Sequence, residues 1–201
     1  GKTTLLNVIT GMVPADSGTV VLGGVDLTGR PSFEIARHGL VRTFQNLRLF
    51  SALTVRENIE VSALVAQTSR ERQPPDVDAL VAAAGLWEVR DRRARELDYG
   101  TSRRLELARA AAMSPSFLLL DEPTSGMSDA ESTSMIEQVR LMAGVIGAGV
   151  VVIDHDLNFI TGICDRIYCL DCGHVIAEGS PTEIQADPVV QAAYLGSSAQ
   201  G

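Results

Sequence analysis

The alternation of apolar and polar positions changes period several times along this chain, and each change marks an element. Residues 117–120 are all apolar and run directly into Asp121-Glu122, with Pro123 ending the run. A short, continuously apolar segment predicts a strand buried on both faces of a parallel sheet. The apolar run 149–153, followed by Asp154-His155, repeats the pattern. Around these runs the period turns helical, predicting helices over 98–113, 129–143 and 156–163. Strands 117–121 and 149–154 alternating with helices argue for an α/β fold with right-handed crossovers.

Upstream, 3–10 reads as a helix closed by Gly11, with Pro14 soon after. Residues 19–22 and 25–27 flank Gly23-Gly24 and predict a hairpin. A short helix over 33–38 and an apolar strand over 40–45 follow. Thr54 with Glu57 three residues on predicts a capping box opening a helix over 54–66. A second helix is expected over 76–86, and the polar, proline-bearing stretch 67–75 as a loop. This helical block interrupts the α/β pattern, which predicts an inserted helical subdomain over about 50–100. Beyond 163, strands over 166–170 and 174–177 are expected around the turn Asp171-Cys172-Gly173, then one or two short helices over 182–195.

Composition narrows the classes. The 201 residues fit one domain, and 45% hydrophobic with 21% charged residues is ordinary for a globular chain. A formal net charge of −8 argues against a broad nucleic-acid-binding face. The apolar run 143–153 is too short to cross a bilayer. Three cysteines make no even disulfide framework, which suits a reducing compartment. Cys169, Cys172 and His174 fit the predicted hairpin better than a zinc site, which needs a fourth ligand.

The candidate chemistry clusters at element ends. Gly1-Lys2-Thr3-Thr4 opening a helix has the form of the tail of a phosphate-binding loop, where N–H groups, helix dipole and lysine act together. There Lys2 reaches the β- and γ-phosphates and the Thr3 hydroxyl ligates Mg²⁺; a solvated terminus is the plainer alternative. Open α/β sheets bind ligands at the carboxyl ends of their strands. Asp121 is placed there to hold Mg²⁺ and Glu122 to orient and activate an attacking water. The plainer alternative is a turn or helix cap, with Thr124-Ser125-Gly126 completing it. His155 belongs to the same edge, as a neutral imidazole touching the γ-phosphate.

The order GKTT, TFQN, LDYG with RRLELARA, LLLDEPTSG and VIDHD resembles the ATP-binding subunit of ABC transporters over essentially the whole chain. VRTFQNLRLF, Tyr99 and the ending AEGSPTEI…DPVVQAAYLG look like the branched-chain amino-acid uptake branch. The resemblance implies a P-loop NTPase-type core using ATP and Mg²⁺, in a head-to-tail dimer with a second ATPase subunit. Each ATP is then held between Gly1, Lys2, Thr3 and Thr4 of one chain and Asp98, Gly100 and Thr101 of the other. Gln45 is implied as a metal ligand and catalytic residue coupled to membrane permease subunits, at the cytoplasmic face of the membrane. An extracytoplasmic solute-binding protein is implied as a further partner, and nucleic acid is not. A soluble ABC-type ATPase acting on nucleic acid or ribosomes is the rival; that class usually carries long coiled coils or two ATPase units in one chain. A degenerate product without activity is the third reading.

The chain departs from the family pattern. The family's loop has further glycines before Gly1, with a strand and an adenine-stacking aromatic earlier still, so the N-terminal strands are expected to be missing. Expressed as given, the chain is expected to be poorly soluble and inactive, because strands left without a neighbour expose apolar edges. Ser128 stands where the family usually has Asp or Asn. Asp98 stands at the signature serine and Thr101 at the glutamine. A carboxylate there repels a γ-phosphate: at about 4 Å, unit charges cost about 1 kcal/mol in water and about 4 kcal/mol at an effective dielectric of 20. Asp98→Ser is therefore expected to raise ATP turnover in the complete protein, measured as steady-state phosphate release; an unchanged rate refutes the repulsion.

Overall fold

The computed structural model describes residues 1–44, 47–67 and 75–198. Gln45 lies outside the described residues, as does most of the expected 67–75 loop. In chain order the first elements are α1 (Lys2–Ile9), β1 (Val21–Leu22), β2 (Val25–Asp26), α2 (Ser32–Arg37), β3 (Leu40–Arg42), α3 (Val55–Gln67) and α4 (Val77–Ala83). Then come α5 (Tyr99–Ala111), β4 (Phe117–Asp121), α6 (Asp129–Ile146), β5 (Gly149–Ile153) and α7 (Leu157–Ile163). The chain continues with β6 (Ile167–Asp171), β7 (His174–Gly179), α8 (Pro181–Ala186) and α9 (Pro188–Ser198).

The centre is a parallel sheet in the order β3-β4-β5. The two-residue alternation of a strand divides β4 between two cores. Leu118 and Leu120 face a large cluster with Val55 and Ile59 of α3, Leu80 of α4, Leu105 of α5 and Met135 of α6. Leu119 faces the other way, packed with Leu6 of α1, Leu27, Ile35, Leu40 and Ile153. Helices therefore cover both faces, which is why the strand can be apolar without a break. By the same alternation Asp121 and Arg42 belong to the α1 face. The helical block shares one hydrophobic cluster with the sheet: Val55 and Ile59 of α3, Leu80 of α4 and Leu105 of α5 belong to the same cluster as Leu118 and Leu120.

Most predicted elements are found, and the differences have local causes. β4 starts with Phe117 still 40% exposed, since only the later residues are covered on both faces. The helix expected over 129–143 runs on to Ile146 and stops at Gly147, whose φ of 64° is the left-handed terminator. β3 is shorter than its apolar run, though the Thr43 N–H still donates to the Leu119 carbonyl. The helix expected over 76–86 ends at Ala83, and single 3₁₀ turns follow at Trp87–Val89 and Ala94–Glu96. The Thr54–Glu57 capping box is present, with the Thr54 N–H donating to Glu57 at 2.7 Å. Cys172 and Gly173 form the β6–β7 turn, both at positive φ. Asp187 separates α8 from α9 by accepting from the Val189 and Val190 N–H groups.

Among the described residues no helix is long and apolar enough to cross a membrane. Gly11 closes α1 at φ 68°, and a Cβ there would lie 2.4 Å from the Arg30 carbonyl oxygen. Gly18, at φ 88°, has open space instead. Gly18→Ala is expected to cost about 1 kcal/mol from backbone strain alone. Gly11→Ala should cost clearly more; equal losses in denaturant unfolding would contradict the packing at α1.

Candidate functional site

The carboxyl ends of β4 and β5 form one edge. Asp121 is opposite Ile153, and the Glu122 N–H donates to the Ile153 carbonyl at 2.7 Å, extending the pairing past the strands. Glu122 has φ 47°, a left-handed conformation that costs a non-glycine residue about 1–2 kcal/mol. Such strain persists only where the surroundings enforce it, and it clusters at functional positions. Here the Ile153 carbonyl on one side and the buried Pro123 and Thr124 on the other hold the turn that presents the Glu122 side chain.

Asp154 joins the two turns of this edge. Its buried carboxylate accepts from the Thr124 hydroxyl at 2.7 Å and the Thr124 N–H at 3.2 Å. It also accepts from the N–H groups of His155 and Asp156. The His155 ring, 69% exposed, projects from this turn with Nδ1 3.5 Å from Asp154. Asp121 is itself enclosed, and its Oδ2 accepts from the Arg42 guanidinium at 2.6 Å. Arg42 also donates to Asn7 Oδ1 at 2.6 Å, which ties α1 to the same carboxylate. Gly1, Lys2, Thr3 and Thr4 are exposed at the start of α1.

A second group forms at the start of α5. Asp98 is the N-cap, accepting from the Thr101 N–H at 2.8 Å and the Thr101 hydroxyl at 2.9 Å. That contact with the Thr101 N–H is the main reason its carboxyl is held below the usual range. With Gly100, Thr101, Arg104 and Glu131 it lines a cleft of about 270 Å³ between α5 and α6. Ser128 caps α6 in a capping box with Glu131. The Tyr99 hydroxyl donates to the Ser125 carbonyl at 2.8 Å and accepts from Arg103. Arg103 in turn donates to Glu106 at 3.0 Å and to the Phe44 carbonyl at 2.9 Å. Burial pushes the Glu106 carboxyl up, with Arg103 opposing it.

The structure thus brings together Asp121, Glu122 and His155, with α1 tied to Asp121 through Arg42. Asp98, Gly100 and Thr101 form their own group, and Gln45 lies outside the described residues. Arg42 and Asp154 were not picked out as site residues from the sequence, and Tyr99 stood there only as a mark of the branched-chain branch, with no sign of its bond to Ser125 or of its link to Arg103. Arg42 did carry a signal: a charge within an apolar strand needs a partner.

The ABC transporter family profile matches residues 1–125, and a branched-chain amino acid ATP-binding cassette transporter profile matches residues 174–200. The chain therefore belongs to the ABC transporter family, as one of its ATP-hydrolysing ATP-binding proteins. It is 38% identical to the high-affinity branched-chain amino acid transport ATP-binding protein LivG of Escherichia coli K12, over 98% of this chain and 83% of that one. It is 35% identical, with the same coverages, to BraF of Pseudomonas aeruginosa, named for the same transport. The lipopolysaccharide export ATP-binding protein LptB of Acidithiobacillus ferridurans is 37% identical over 100% of this chain and 83% of its own. Among solved structures, the ADP conformation of MJ1267, an ATP-binding cassette of an ABC transporter, superposes with a TM-score of 0.79 at 28% identity. That likeness covers 98% of this chain and 84% of the other.

Two tests follow from the site. Asp154→Ala strands the Thr124 hydroxyl and the turn N–H groups and is expected to cost about 2 kcal/mol in denaturant unfolding; a loss under about 0.5 kcal/mol contradicts the joint. The helix-start carboxyls of Asp98, Glu57, Glu131 and Glu183 are all held below their ordinary values, chiefly by backbone N–H groups. Near pH 4 the unfolded chain then binds more protons, so this stability is complete above about pH 4.5 and is lost as pH falls through the folded values. The Tm should drop below about pH 4, and Asp98→Asn, Glu57→Gln, Glu131→Gln and Glu183→Gln together should flatten that drop.

Proposed function

We propose that this chain binds and hydrolyses ATP to energise import of branched-chain or related amino acids. The observation that carries the reading is the gathering of Asp121, Glu122 and His155 on one strand edge, with α1 fastened to Asp121. The C-terminal match to the branched-chain profile and the names of the relatives favour that solute class over lipopolysaccharide export. Gly1, Lys2, Thr3 and Thr4 bind the phosphates, the lysine supplying charge and the helix start its N–H groups. Asp98, Gly100 and Thr101 of a second ATPase subunit close over the same nucleotide. The capping bonds to Thr101 draw the Asp98 carboxylate onto its own helix, which moderates the repulsion expected from the sequence.

Mg²⁺ suits this edge: Asp121 already holds a cationic group, and Asp121 with the Thr3 hydroxyl offers the hard oxygen donors that the ion prefers. The resemblance to the family assigns a further oxygen to Gln45, which lies outside the described residues. When bound, the ion neutralises charge on the β- and γ-phosphates. Glu122 orients the attacking water and takes its proton, while His155 contacts the γ-phosphate. The Glu122 backbone strain fixes where that carboxylate points. Membrane permease subunits and an extracytoplasmic solute-binding protein complete the transporter, with this chain at the cytoplasmic face.

Glu122→Gln removes the base and leaves the phosphate and metal contacts. In the complete protein ATP turnover is expected to fall at least about a hundredfold, with Mg·ATP affinity within about threefold of the parent. Turnover that stays within a few-fold would exclude Glu122 as the base.

A further inference from the structure

Arg42 has no part in the chemistry above, yet its side chain is among the most enclosed charged ones of the described residues. Its side chain is 6% exposed and that of Asp121 4%. One guanidinium nitrogen, Nη2, is 2.6 Å from Asp121 Oδ2. The other, Nη1, donates to Asn7 Oδ1 at 2.6 Å and to the Thr10 hydroxyl at 3.4 Å. Nε is enclosed without a hydrogen-bond partner among the described residues. Thr3 and Asn7 of α1 and its C-cap Thr10 are spaced i, i+4, i+7, so they lie along one face of the helix. Arg42 therefore joins the helix face that bears Thr3 to the carboxylate at the end of β4.

As a purely structural device this arrangement is poor. Both charges lose their hydration, Nε stays unsatisfied, and well-packed apolar residues commonly stabilise a core as well or better. The arrangement makes sense if the place that Arg42 takes on Asp121 is needed by another cation. We propose that Arg42 is a positioning residue that occupies Asp121 as an internal cation while no metal is bound, and releases Oδ2 when metal and nucleotide arrive together. The proposal rests on reading Asp121 as a metal-holding carboxylate. Asn7 and Thr10 give the guanidinium a second anchorage, so it can leave Asp121 without entering solvent. Because the two cations compete for one carboxylate, metal alone binds weakly, and the negative charge of the phosphates tips the exchange. Arg42 thus links metal occupancy to the hold between α1 and β4.

The test is Mn²⁺ titration by electron paramagnetic resonance, with and without ADP, paired with thermal unfolding of the same full-chain variants. Arg42→Gln is expected to lower the Tm of the metal-free protein. It should also tighten nucleotide-free Mn²⁺ binding by about tenfold, since a repelling unit charge is removed. The Tm rise on adding Mn²⁺ should then exceed that of the parent, because stabilisation follows metal concentration over Kd. A lower Tm with Mn²⁺ affinity unchanged or weaker overturns the proposal and leaves Arg42 a structural residue. If Arg42→Gln does not fold, Asn7→Ala serves instead. It removes the second anchorage, so nucleotide-free Mn²⁺ should bind about threefold more weakly; unchanged or tighter binding overturns the proposal. Asp121→Asn separates the two readings. If it leaves Mn²⁺ affinity with ADP untouched, the metal reading of Asp121 itself fails. If it weakens that affinity while the Arg42 and Asn7 variants change nothing, only the proposal about Arg42 fails.

Discussion

The double parallel pairing of β4 is the constraint on which the rest depends. A strand hydrogen-bonded on both edges and covered on both faces must be apolar throughout, and it can meet polar chemistry only where it ends. Leu118, Leu119 and Leu120 satisfy that requirement toward two separate cores. Asp121 and Glu122 are the first residues released from it. The residues proposed for the nucleotide are placed by reference to this point: β5 delivers His155 one strand over, while β3 on the other side delivers Arg42, the partner of Asp121. α1, packed on the Leu119 face, is pinned there by Arg42 and Leu6.

Two kinds of polar contact turn this edge into a connected unit. Asp154 locks the turn after β5 to the turn after β4, so Glu122 and His155 cannot shift independently. Tyr99 and Arg103 reach from α5 to Ser125 and to Phe44 and so tie the second group to both sides of the sheet edge. Buried networks of this kind are stabilising only when nearly every member is satisfied. The Arg103–Glu106 pair meets that condition through its contacts with Tyr99 and Phe44. The Arg42–Asp121 pair meets it only in part, and that difference is what separates a fixed strut from a contact suited to exchange.

Local signals made much of this legible in the sequence. β4 could be bounded because its apolar run is bracketed by a small polar stretch and by carboxylates followed by proline. The capping box at Thr54 and the turn at Cys172-Gly173 could be read because each depends on residues a few positions apart. The end of α6 was placed too early because its left-handed glycine, Gly147, follows another glycine that the helix simply runs through. The joints of the site were not legible for the opposite reason. Arg42 and Asp121 are 79 residues apart, Thr124 and Asp154 are 30 apart, and Tyr99 and Ser125 are 26 apart. Only the fold brings such pairs together, and no periodicity announces them. Ser128 and Asp98, which the resemblance marked as departures from the family pattern, prove to be caps of α6 and α5, a structural role that both residue types fill well.

On the proposed reading, the carboxyl ends of β4 and β5 form an ATP site completed by a second ATPase subunit. The most direct measurement is a structure of the Glu122→Gln protein with Mg²⁺ and ATP. The triphosphate should lie along Gly1 to Thr4, with the metal on Thr3 and Asp121 and His155 against the γ-phosphate. Asp98, Gly100 and Thr101 of the second subunit should lie across the nucleotide. Nucleotide bound away from the ends of β4 and β5, or metal elsewhere with Asp121 still paired to Arg42, would contradict that reading.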